Sequence, residues 1–489
     1  MNGARSPLLG ALLSFLLPGL GQLHAGRPRR ALVFLVPALV AWAAVLWAAA
    51  QGRTALLGYL FEAPLLNALL VLNLLLLALH LVAVVDAYRL LGAQRVLRGA
   101  VPPRAAAAGG LSAGLLLLLA ATVVAHGLPE WYGYQVATRL PAFTGTGSPG
   151  IPTPSWELSP TPSGQPTPTG QPTPTGGGPT ASPTASAAPS PTGSAPPGAA
   201  WADDGRLNVL LIGSDAGPGR WSARPDAIHL LSIDIASGRA ALFAWSRYTS
   251  NFPVPPETAH MFRDGRYPGY INELYVAAIN SPRRFPYNDE AGWGVLAGAV
   301  QELAGVKVDG YAMLDLIGFA ELVDALDGLW IDVPAPGVVD SHYGDGFGRQ
   351  TNMRLAAGCQ ELNGKRALFF SRTRHQDGDI ARLHRQQVTL TSVRRTYDPL
   401  AVAARLPELL DIAGAHAHIS FAPSDWPALA ELAARVDPAR ISKVVFEYPE
   451  PYPRNLKDDT LERIQAKVRG IFDEPAPEPS GGDCPTGEP

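Results

Sequence analysis

Long apolar runs dominate the first 140 residues of the chain. Three of them, at residues 31–50, 64–85 and 111–126, are long enough to cross a bilayer once the third is extended slightly, because a crossing takes about 20 helical residues. A shorter run at residues 8–23 is broken by Pro18-Gly19, so it predicts either a fourth span or a re-entrant or interfacial helix. The pattern therefore predicts an α-helical membrane region over residues 1–140.

The arginines beside these runs predict their orientation. Arg27, Arg29 and Arg30 precede the first long run and four more arginines lie between the second and third, whereas the loop between the first and second holds only Arg53. Basic residues collect on the cytoplasmic side of a membrane, so we expect segments 27–30 and 86–108 to be cytoplasmic. Residues after Gly127 are then extracytoplasmic in a multi-pass protein of the cell membrane.

The apolar periodicity disappears between residues 141 and 202. Pro, Thr, Ser, Gly and Ala make up most of this segment, with near-repeats at 164–169 and 170–175. Such a composition cannot bury enough apolar surface to fold, and its prolines stiffen the chain toward an extended spacer. We predict a disordered stalk that holds the following domain away from the membrane.

A different pattern begins at residue 203 and continues to residue 473. Short apolar runs typical of buried strands occur at 207–212, 228–235, 239–245, 308–314 and 329–333. Helical spacing alternates with them at 290–303, 314–326, 383–397, 426–436 and 458–472. This alternation predicts an α/β fold, a layered α/β/α domain around a central mixed sheet. Residues 474–489 are expected to form a flexible tail.

Charge and cysteine content narrow the possibilities further. The formal net charge is −3 and the pI is near 6.4, so we expect no nucleic-acid partner. The chain has two cysteines and no Cys/His cluster typical of a zinc site. Because the region after the spans is expected to lie in an oxidising compartment, we predict a disulfide between Cys359 and Cys484. It would hold the tail near the start of the most highly charged part of the domain.

That part is the segment 369–387, called the arginine stretch below. It contains four arginines, two aspartates and two histidines, although only 17% of the residues of the whole chain are charged. Arginine carries a planar fork of donors that fits phosphate oxygens, and a neighbouring aspartate can tune it or hold a metal that touches the same phosphate. Taken alone, the stretch fits either a diphosphate site or a solvated, salt-bridged helix.

Several separated motifs between residues 205 and 400 decide between these interpretations, because their order and spacing resemble the LytR–CpsA–Psr (LCP) family. The motifs are Gly213-Ser214-Asp215, Arg224-Pro225-Asp226, Trp245-Ser246-Arg247, Ile271-Asn272, Leu362-Asn363-Gly364, Ser371-Arg372-Thr373-Arg374-His375 and Arg385-Gln386-Gln387. Each is weak alone, but seven in order are specific.

The resemblance implies a membrane-anchored, extracytoplasmic phosphotransferase. Such enzymes move a glycopolymer, of teichoic-acid or arabinogalactan type, from a polyprenyl-diphosphate carrier to peptidoglycan with Mg²⁺ (or Mn²⁺). Carried over position by position, the metal would be held by Asp215 and Asp226. The diphosphate would be bound by Arg224, Arg247, Arg372 and Arg374, with Asp379, Arg382 and Gln386 completing the wall of the site.

Elementary chemistry agrees with this assignment in part. Cleaving a diphosphate needs charge stabilisation on its oxygens more than it needs a protein nucleophile, and arginines with Mg²⁺ supply that. Asp379 is our candidate for the base that activates the acceptor hydroxyl. Arg372 and Arg374 would share a side only if their segment is extended, whereas Arg382 and Gln386 share a helix face in any case. Arg385 is expected to lie outside the site.

The chain also departs from the family pattern. The usual Arg-Ser-Asp-Thr block is Arg224-Pro225-Asp226-Ala227, which lacks the hydroxyls. The usual Arg-Asp after the third strand is Arg247-Tyr248, and Tyr270 stands where a lysine usually precedes Ile271. Two alternative functions therefore stay open: a polyprenyl-diphosphate hydrolase, and a non-catalytic regulator of the cell envelope that binds lipid diphosphates.

Overall fold

The computed structural model describes residues 6–50, 60–97, 112–143, 204–216, 224–281, 285, 292–344, 350–397, 399–446, 456–479 and 484. The part of the predicted stalk from 144 to 202 lies outside these ranges. Within them, three helices are long and apolar enough to cross a membrane, as predicted. They are Pro28–Ala50, Ala63–Leu97 and Ala113–Arg139.

The early apolar run forms two short helices, Pro7–Leu16 and Leu20–His24. The break falls where the sequence placed it, because Pro18 is followed by Gly19 with a φ of +103°, a left-handed conformation that favours glycine. Gly21 permits close packing: a Cβ there would lie 2.1 Å from the carbonyl oxygen of Gly10. Neither helix alone is long enough to span a bilayer.

A hydrogen-bonded series of polar side chains connects two of the helices that could cross a membrane. It is called the membrane network below and comprises Asn73, His80, His126 and Glu130. His80 Nδ1 lies 3.1 Å from His126 Nε2, and His126 Nδ1 lies 2.8 Å from Asn73 Oδ1. Asn73 Nδ2 donates to Glu130 at 2.9 Å, and His80 Nε2 lies 2.9 Å from the carbonyl oxygen of Phe15. Each side chain therefore meets a partner on a different helix, which is how polar groups are accommodated at membrane depth.

Two segments from the C-terminal half of the chain belong to the same compact unit as the membrane helices. That unit comprises Met1–Gly145, Asp398–Ala415 and Ala422–Glu431. Leu406, Leu410 and Trp426 form an apolar cluster with Val136 and Leu140, and Arg139 pairs with Asp411 at 2.7 Å. Nothing in the apolar pattern distinguished these segments from the rest of residues 203–473.

The second unit is built on a six-stranded mixed sheet, which confirms the predicted fold class. Its strands are β1 (Arg206–Ser214), β2 (Pro225–Asp234), β3 (Ala240–Ala244), β6 (Gly310–Leu314), β11 (Ala417–Ile419) and β12 (Ser442–Val445), in the order β11-β6-β1-β2-β3-β12. β1 pairs with β6 in parallel and with β2 antiparallel, and β3 continues antiparallel to β2. β1, β3 and β6 therefore end at the same edge of the sheet, where β2 begins.

Helices cover the sheet and bury its apolar side chains. The longer helices of this unit are Ile271–Asn280, Trp293–Ala304, Leu316–Ala325, Gly364–Arg372, Gly378–Thr396 and Asp458–Arg469. Trp293–Ala304 is buried along its whole length in the main core, which also holds Leu210, Phe243 and Trp245. The predicted helices are confirmed at these positions, although the predicted helix 383–397 begins earlier, at Gly378, and so includes Asp379.

Three two-stranded sheets complete the unit. β4 (Ser250–Pro253) pairs with β5 (Arg266–Tyr270), β7 (Leu329–Val333) with β10 (Gly358–Leu362), and β8 (Val338–Gly344) with β9 (Gln350–Leu355). The structure joins Cys359, on β10, to Cys484 in a disulfide with a Cα–Cα distance of 5.2 Å. The tail that we expected to be flexible is therefore fixed to β10 at Cys484.

Candidate functional site

The site is built on the edge of the sheet where β1 and β3 end and β2 begins. Asp215 directly follows β1, and Asp226 is the second residue of β2. The Asp215 N–H donates to the Arg224 carbonyl at 2.9 Å, and the Arg224 N–H donates to the Asp215 carboxylate at 2.8 Å. Arg247 follows β3 by three residues. The register of the sheet thus brings these four residues to one edge, although the first and the last of them are more than thirty positions apart in the sequence.

A continuous chain of contacts connects Asp226, Arg247, Tyr248 and Arg374. Arg247 Nη1 pairs with the Asp226 carboxylate at 2.6 Å, and Arg247 Nη2 donates to the Tyr248 hydroxyl at 2.5 Å. Arg374 Nη1 donates to the same hydroxyl at 3.0 Å. Burial alone would lower the pKa of Arg247, but the Asp226 carboxylate outweighs it and raises that pKa, so the guanidinium is fully charged. Two cations therefore meet at one phenol oxygen.

A second ion pair, between Arg382 and Asp379, lies within electrostatic range of the first. Arg382 Nη2 lies 2.7 Å from Asp379 Oδ1, one helical turn away, and both side chains are almost fully buried. The Ser246 hydroxyl donates to Asp379 Oδ2 at 3.0 Å. Burial lowers the pKa of Arg382, and the charges of Arg247 and Arg374 lower it further, against the opposing effect of Asp379 and Asp226. Gln386, also buried, follows Arg382 by one turn on the same helix face.

Beneath these charges lies a buried histidine, His229 on β2. It is 1% exposed, and burial together with the charge of Arg382 lowers its pKa to about 3, so the imidazole is neutral at physiological pH. His229 therefore adds no charge to the site. The sequence analysis did not select it, because a lone histidine in an apolar strand carries no signal of its neighbours.

The start of the arginine stretch answers the question of whether Arg372 and Arg374 share a side. Asn363 caps the Gly364–Arg372 helix by accepting from the Arg366 N–H at 3.0 Å, and Phe369 and Phe370 are fully buried. The helix ends at Arg372, and Thr373 is already extended. Arg374 reaches Tyr248, whereas Arg372 donates to the Tyr343 hydroxyl and the Gly344 carbonyl, each at 3.3 Å. The two arginines thus contact different elements.

Two further residues, Arg385 and Asp340, hold the arginine stretch in place, and the sequence analysis assigned neither of them a structural role. Arg385 is 4% exposed, donates to the carbonyls of Phe370 and Thr373, and pairs with Asp377. Arg385, which we expected to lie outside the site, is thus a buried residue that holds the backbone. The buried Asp340 accepts from Thr373 at 2.6 Å and contacts His375 at 2.7 Å. The charge of the stretch alone could not distinguish a residue that holds the backbone from one that faces a ligand.

The predicted metal ligands, Asp215 and Asp226, offer carboxylate oxygens, which are the donor type that Mg²⁺ prefers. Asp215 and Asp226 lie at neighbouring positions on one sheet edge, and Mg²⁺ usually takes only one or two carboxylates and fills its remaining positions with water and phosphate oxygens. Asp226 is shared with Arg247. Among the described residues, no group of three or more His, Cys, Asp or Glu side chains could hold a metal without further ligands.

The predicted site residues carry more positive than negative charge. Five are arginines and three are aspartates, which gives a formal charge of +2. Two of the arginines, Arg247 and Arg382, are buried beside their carboxylates, and the Nε of each makes no hydrogen bond to the part of the chain that the structure describes. Buried donors normally have partners. The arrangement can therefore bind an anion with several oxygens.

Comparison with known proteins identifies relatives of the second unit. The model of the LytR_cpsA_psr family matches residues 180–465, which is more than half of the chain. Regulatory protein MsrR of Staphylococcus aureus (strain Mu50 / ATCC 700699) is 24% identical over 215 residues, which are 43% of this chain and 55% of MsrR. The chain thus spans about half the length of that relative.

Solved structures similar to this chain include B. subtilis TagV and a complex of TagT bound to LIIa-WTA. Each is 18% identical with a TM-score of 0.41 and covers 55% of this chain. The similarity covers 97% of the TagV chain and 92% of the TagT chain.

Proposed function

This chain belongs to the LytR_cpsA_psr family, and from that premise we propose that it is a membrane-anchored phosphotransferase. It would move a glycopolymer from a polyprenyl-diphosphate carrier to peptidoglycan on the extracytoplasmic side of the cell membrane. The observation that carries the proposal is the grouping of Arg247, Arg374 and Arg382 at the sheet edge, within a set of site residues in which five arginines outnumber three aspartates.

The reaction defines what such a site must do. The acceptor hydroxyl forms a new O–P bond to the phosphorus that carries the glycan, the bridging P–O bond breaks, and polyprenyl phosphate leaves. Negative charge develops on the bridging and non-bridging oxygens, where arginines preorganised by buried partners stabilise it most effectively. Asp226 and Asp379 supply that preorganisation, because each holds one guanidinium in place.

A divalent cation, Mg²⁺ or Mn²⁺, is part of the proposal. Asp215 and Asp226 would hold it, and when bound it would offset the charge of the diphosphate oxygens. Its binding can be tested without turnover, by titrating Mg²⁺ into the apo protein calorimetrically. Asp215→Asn should weaken that binding at least tenfold. Unchanged affinity in Asp215→Asn would remove Asp215 from the proposed ligand set.

A second candidate function is a lipid-diphosphate-binding regulator without turnover. Tyr248 favours it, because a neutral phenol occupies a position where the family resemblance implies a carboxylate. The arginines would still bind the diphosphate. The hydrolase is the remaining alternative, in which water takes the place of the acceptor hydroxyl.

One assay separates the three functions. Full-length protein in nanodiscs is incubated with a polyprenyl-diphosphate oligosaccharide, Mg²⁺ and peptidoglycan oligomers. Covalent transfer of the oligosaccharide to peptidoglycan supports the transferase, release of polyprenyl phosphate without transfer supports the hydrolase, and binding alone supports the regulator. Arg463→Ala is the matched control, because Arg463 lies on the Asp458–Arg469 helix with its side chain 73% exposed.

A further inference from the structure

Tyr248 has an environment unlike that of an ordinary buried tyrosine. Its hydroxyl oxygen accepts from two guanidinium groups, those of Arg247 at 2.5 Å and Arg374 at 3.0 Å. Arg247 also lies 4.7 Å from the centre of the Tyr248 ring. The two arginines come from opposite parts of the sequence, one after β3 and the other after the Gly364–Arg372 helix. The Tyr248 hydroxyl is therefore the atom through which Arg247 and Arg374 are connected.

This geometry fixes what the hydroxyl can do. A phenol has one proton and accepts through its oxygen. Because both guanidiniums donate to that oxygen, the phenol proton must point in a third direction, away from both arginines. Two cationic donors also stabilise the phenolate. Burial would raise the pKa of Tyr248, but the hydrogen bonds and charges of Arg247 and Arg374 outweigh burial and lower that pKa below its usual value of 10.

The groups packed around Tyr248 leave this environment cationic. On its own segment the Tyr248 N–H donates to the Ser246 hydroxyl at 3.3 Å. From β5, Tyr270 contacts the ring edge to face at 5.4 Å, and Glu273 binds the backbone N–H of Tyr270. Asp226 and Asp379 face Arg247 and Arg382, their own ion-pair partners. Among the described residues, the charged groups that contact the Tyr248 hydroxyl are Arg247 and Arg374, both cations.

Asp379, the base that the sequence suggested, is a poorer proton acceptor. Its side chain is 9% exposed, one oxygen lies 2.7 Å from Arg382, and the other accepts from Ser246 at 3.0 Å. One oxygen thus accepts a hydrogen bond and the other lies against the Arg382 guanidinium, whose positive charge stabilises the carboxylate and makes it a weaker proton acceptor. Asp379 is better suited to positioning Arg382 and Ser246.

We propose that Tyr248 is a catalytic residue that accepts the proton of the attacking acceptor hydroxyl, an inference that rests on the proposed phosphotransferase function. The hydroxyl O–H bond breaks and its proton passes to the phenolate oxygen of Tyr248. The freed oxygen forms the new bond to phosphorus, and polyprenyl phosphate leaves with the electrons of the bridging P–O bond. Arg247 and Arg374 then stabilise the departing charge, and the proton is lost from Tyr248 to solvent before the next turnover.

The test compares Tyr248→Phe and Tyr248→Asp with the wild type in nanodiscs, by single-turnover transfer from about pH 6 to about pH 10. The wild-type rate should rise with pH through the pKa of Tyr248 and then level off. Tyr248→Phe should transfer about 10²-fold more slowly or worse and lose the rising limb, while its affinity for polyprenyl diphosphate changes less than about threefold. Tyr248→Asp should recover part of the rate, with the rising limb moved to lower pH.

Tyr267→Phe is the control, because Tyr267 packs in the core against Phe252 and Phe262. A second measurement follows the ultraviolet absorbance of phenolate, where the difference between wild type and Tyr248→Phe should report one tyrosine that ionises below pH 10. A wild-type rate and pH profile in Tyr248→Phe would overturn the inference alone. Parallel losses of rate and of affinity would assign Tyr248 to binding and also overturn it. A wild type that binds but never transfers would overturn the proposed function itself, and the inference with it.

Discussion

The membrane network and the predicted diphosphate site, called the arginine site below, both bury polar groups. They differ in how completely those groups are paired with partners of opposite charge or hydrogen-bonding role. In the membrane network each hydrogen bond joins side chains on different helices, and Asn73, His126 and Glu130 serve one another. In the arginine site five arginines stand against three aspartates, and two of the arginines, Arg247 and Arg374, donate to the hydroxyl oxygen of Tyr248. A network that satisfies itself is suited to holding helices together, whereas a surplus of charge needs a ligand of opposite sign.

The largest test of this difference is Arg247→Ala. Arg247 contacts Asp226 and Tyr248 at once, so its removal takes away one donor to the diphosphate and leaves a carboxylate without its cation. We expect transfer to fall about 10²–10³-fold, measured as single-turnover rate with saturating carrier. A fall below tenfold, with Arg463→Ala unchanged, would mean that Arg247 does not face the reacting phosphates.

Arg374 and Arg372 provide the next test, because the sequence analysis assigned both to the diphosphate, whereas in the structure they contact different elements. Arg374→Ala removes a cation from the Tyr248 hydroxyl and should lower transfer about 10²-fold. Arg372→Ala removes contacts to Tyr343 and Gly344, and should lower it about tenfold or less. Equal losses measured in parallel assays would show that Arg372 faces the ligand as directly as Arg374 does.

A buried carboxylate at the opposite edge of the sheet, Asp309, allows a test in which the stability of the protein is measured: its charge is only partly compensated by its neighbours. Asp309 precedes β6 and accepts from the Asn208 N–H at 2.8 Å, with Lys307 at 3.5 Å. Burial raises the pKa of Asp309 to about 7, well above its usual value. Because the folded protein then binds this proton more tightly than the unfolded chain does, the contribution of Asp309 to stability should fall as pH rises from about 4 to about 7, by about 3 kcal/mol.

The measurement is the melting temperature of the full-length protein between these pH values. Asp309→Asn should flatten the profile, since an amide does not titrate in this range. An identical slope in Asp309→Asn would show that other groups cause the pH dependence.

The smallest effect is expected from Asn73→Leu in the membrane network. The substitution removes hydrogen bonds to His126 and Glu130, and should lower the free energy of unfolding in detergent by about 1 kcal/mol. The transfer rate should not change. A loss of transfer with preserved stability would contradict the comparison, because the network would then do more than hold helices.

The sequence predicted where the site residues lie along a strand or a helix, but it did not predict which side chains they contact. The sequence placed Asp215 at the end of a strand and Arg382 and Gln386 on one helix face, because strand ends and i,i+4 spacing follow from local pattern. It counted Tyr248 as a missing carboxylate, since it could not show that two arginines converge on that hydroxyl. Arg385 had the same charge as its neighbours and differs from them only in what it contacts.

The membrane region shows the same limit. The three long apolar helices followed from length and hydropathy, and they are present. The grouping of Leu406, Leu410 and Trp426 with Val136 and Leu140 depends on contacts between residues more than 250 positions apart, which no local pattern encodes. Pattern predicts elements, whereas three-dimensional contacts decide which elements pack together.

The disulfide between Cys359 and Cys484 encloses the whole arginine stretch in a covalent ring. Because 125 residues separate the two cysteines, Cys359 leaves the ribosome long before its partner does and must remain a thiol until Cys484 arrives. A chain that stopped after Arg382 but before Cys484 would contain Arg372, Arg374 and Arg382 but could not close the ring. A protease cut within the ring would leave two pieces that stay joined through the disulfide. In a denaturing gel these pieces should run together without a reductant and separately with one. Molecules that lack the disulfide would give separate pieces in both gels.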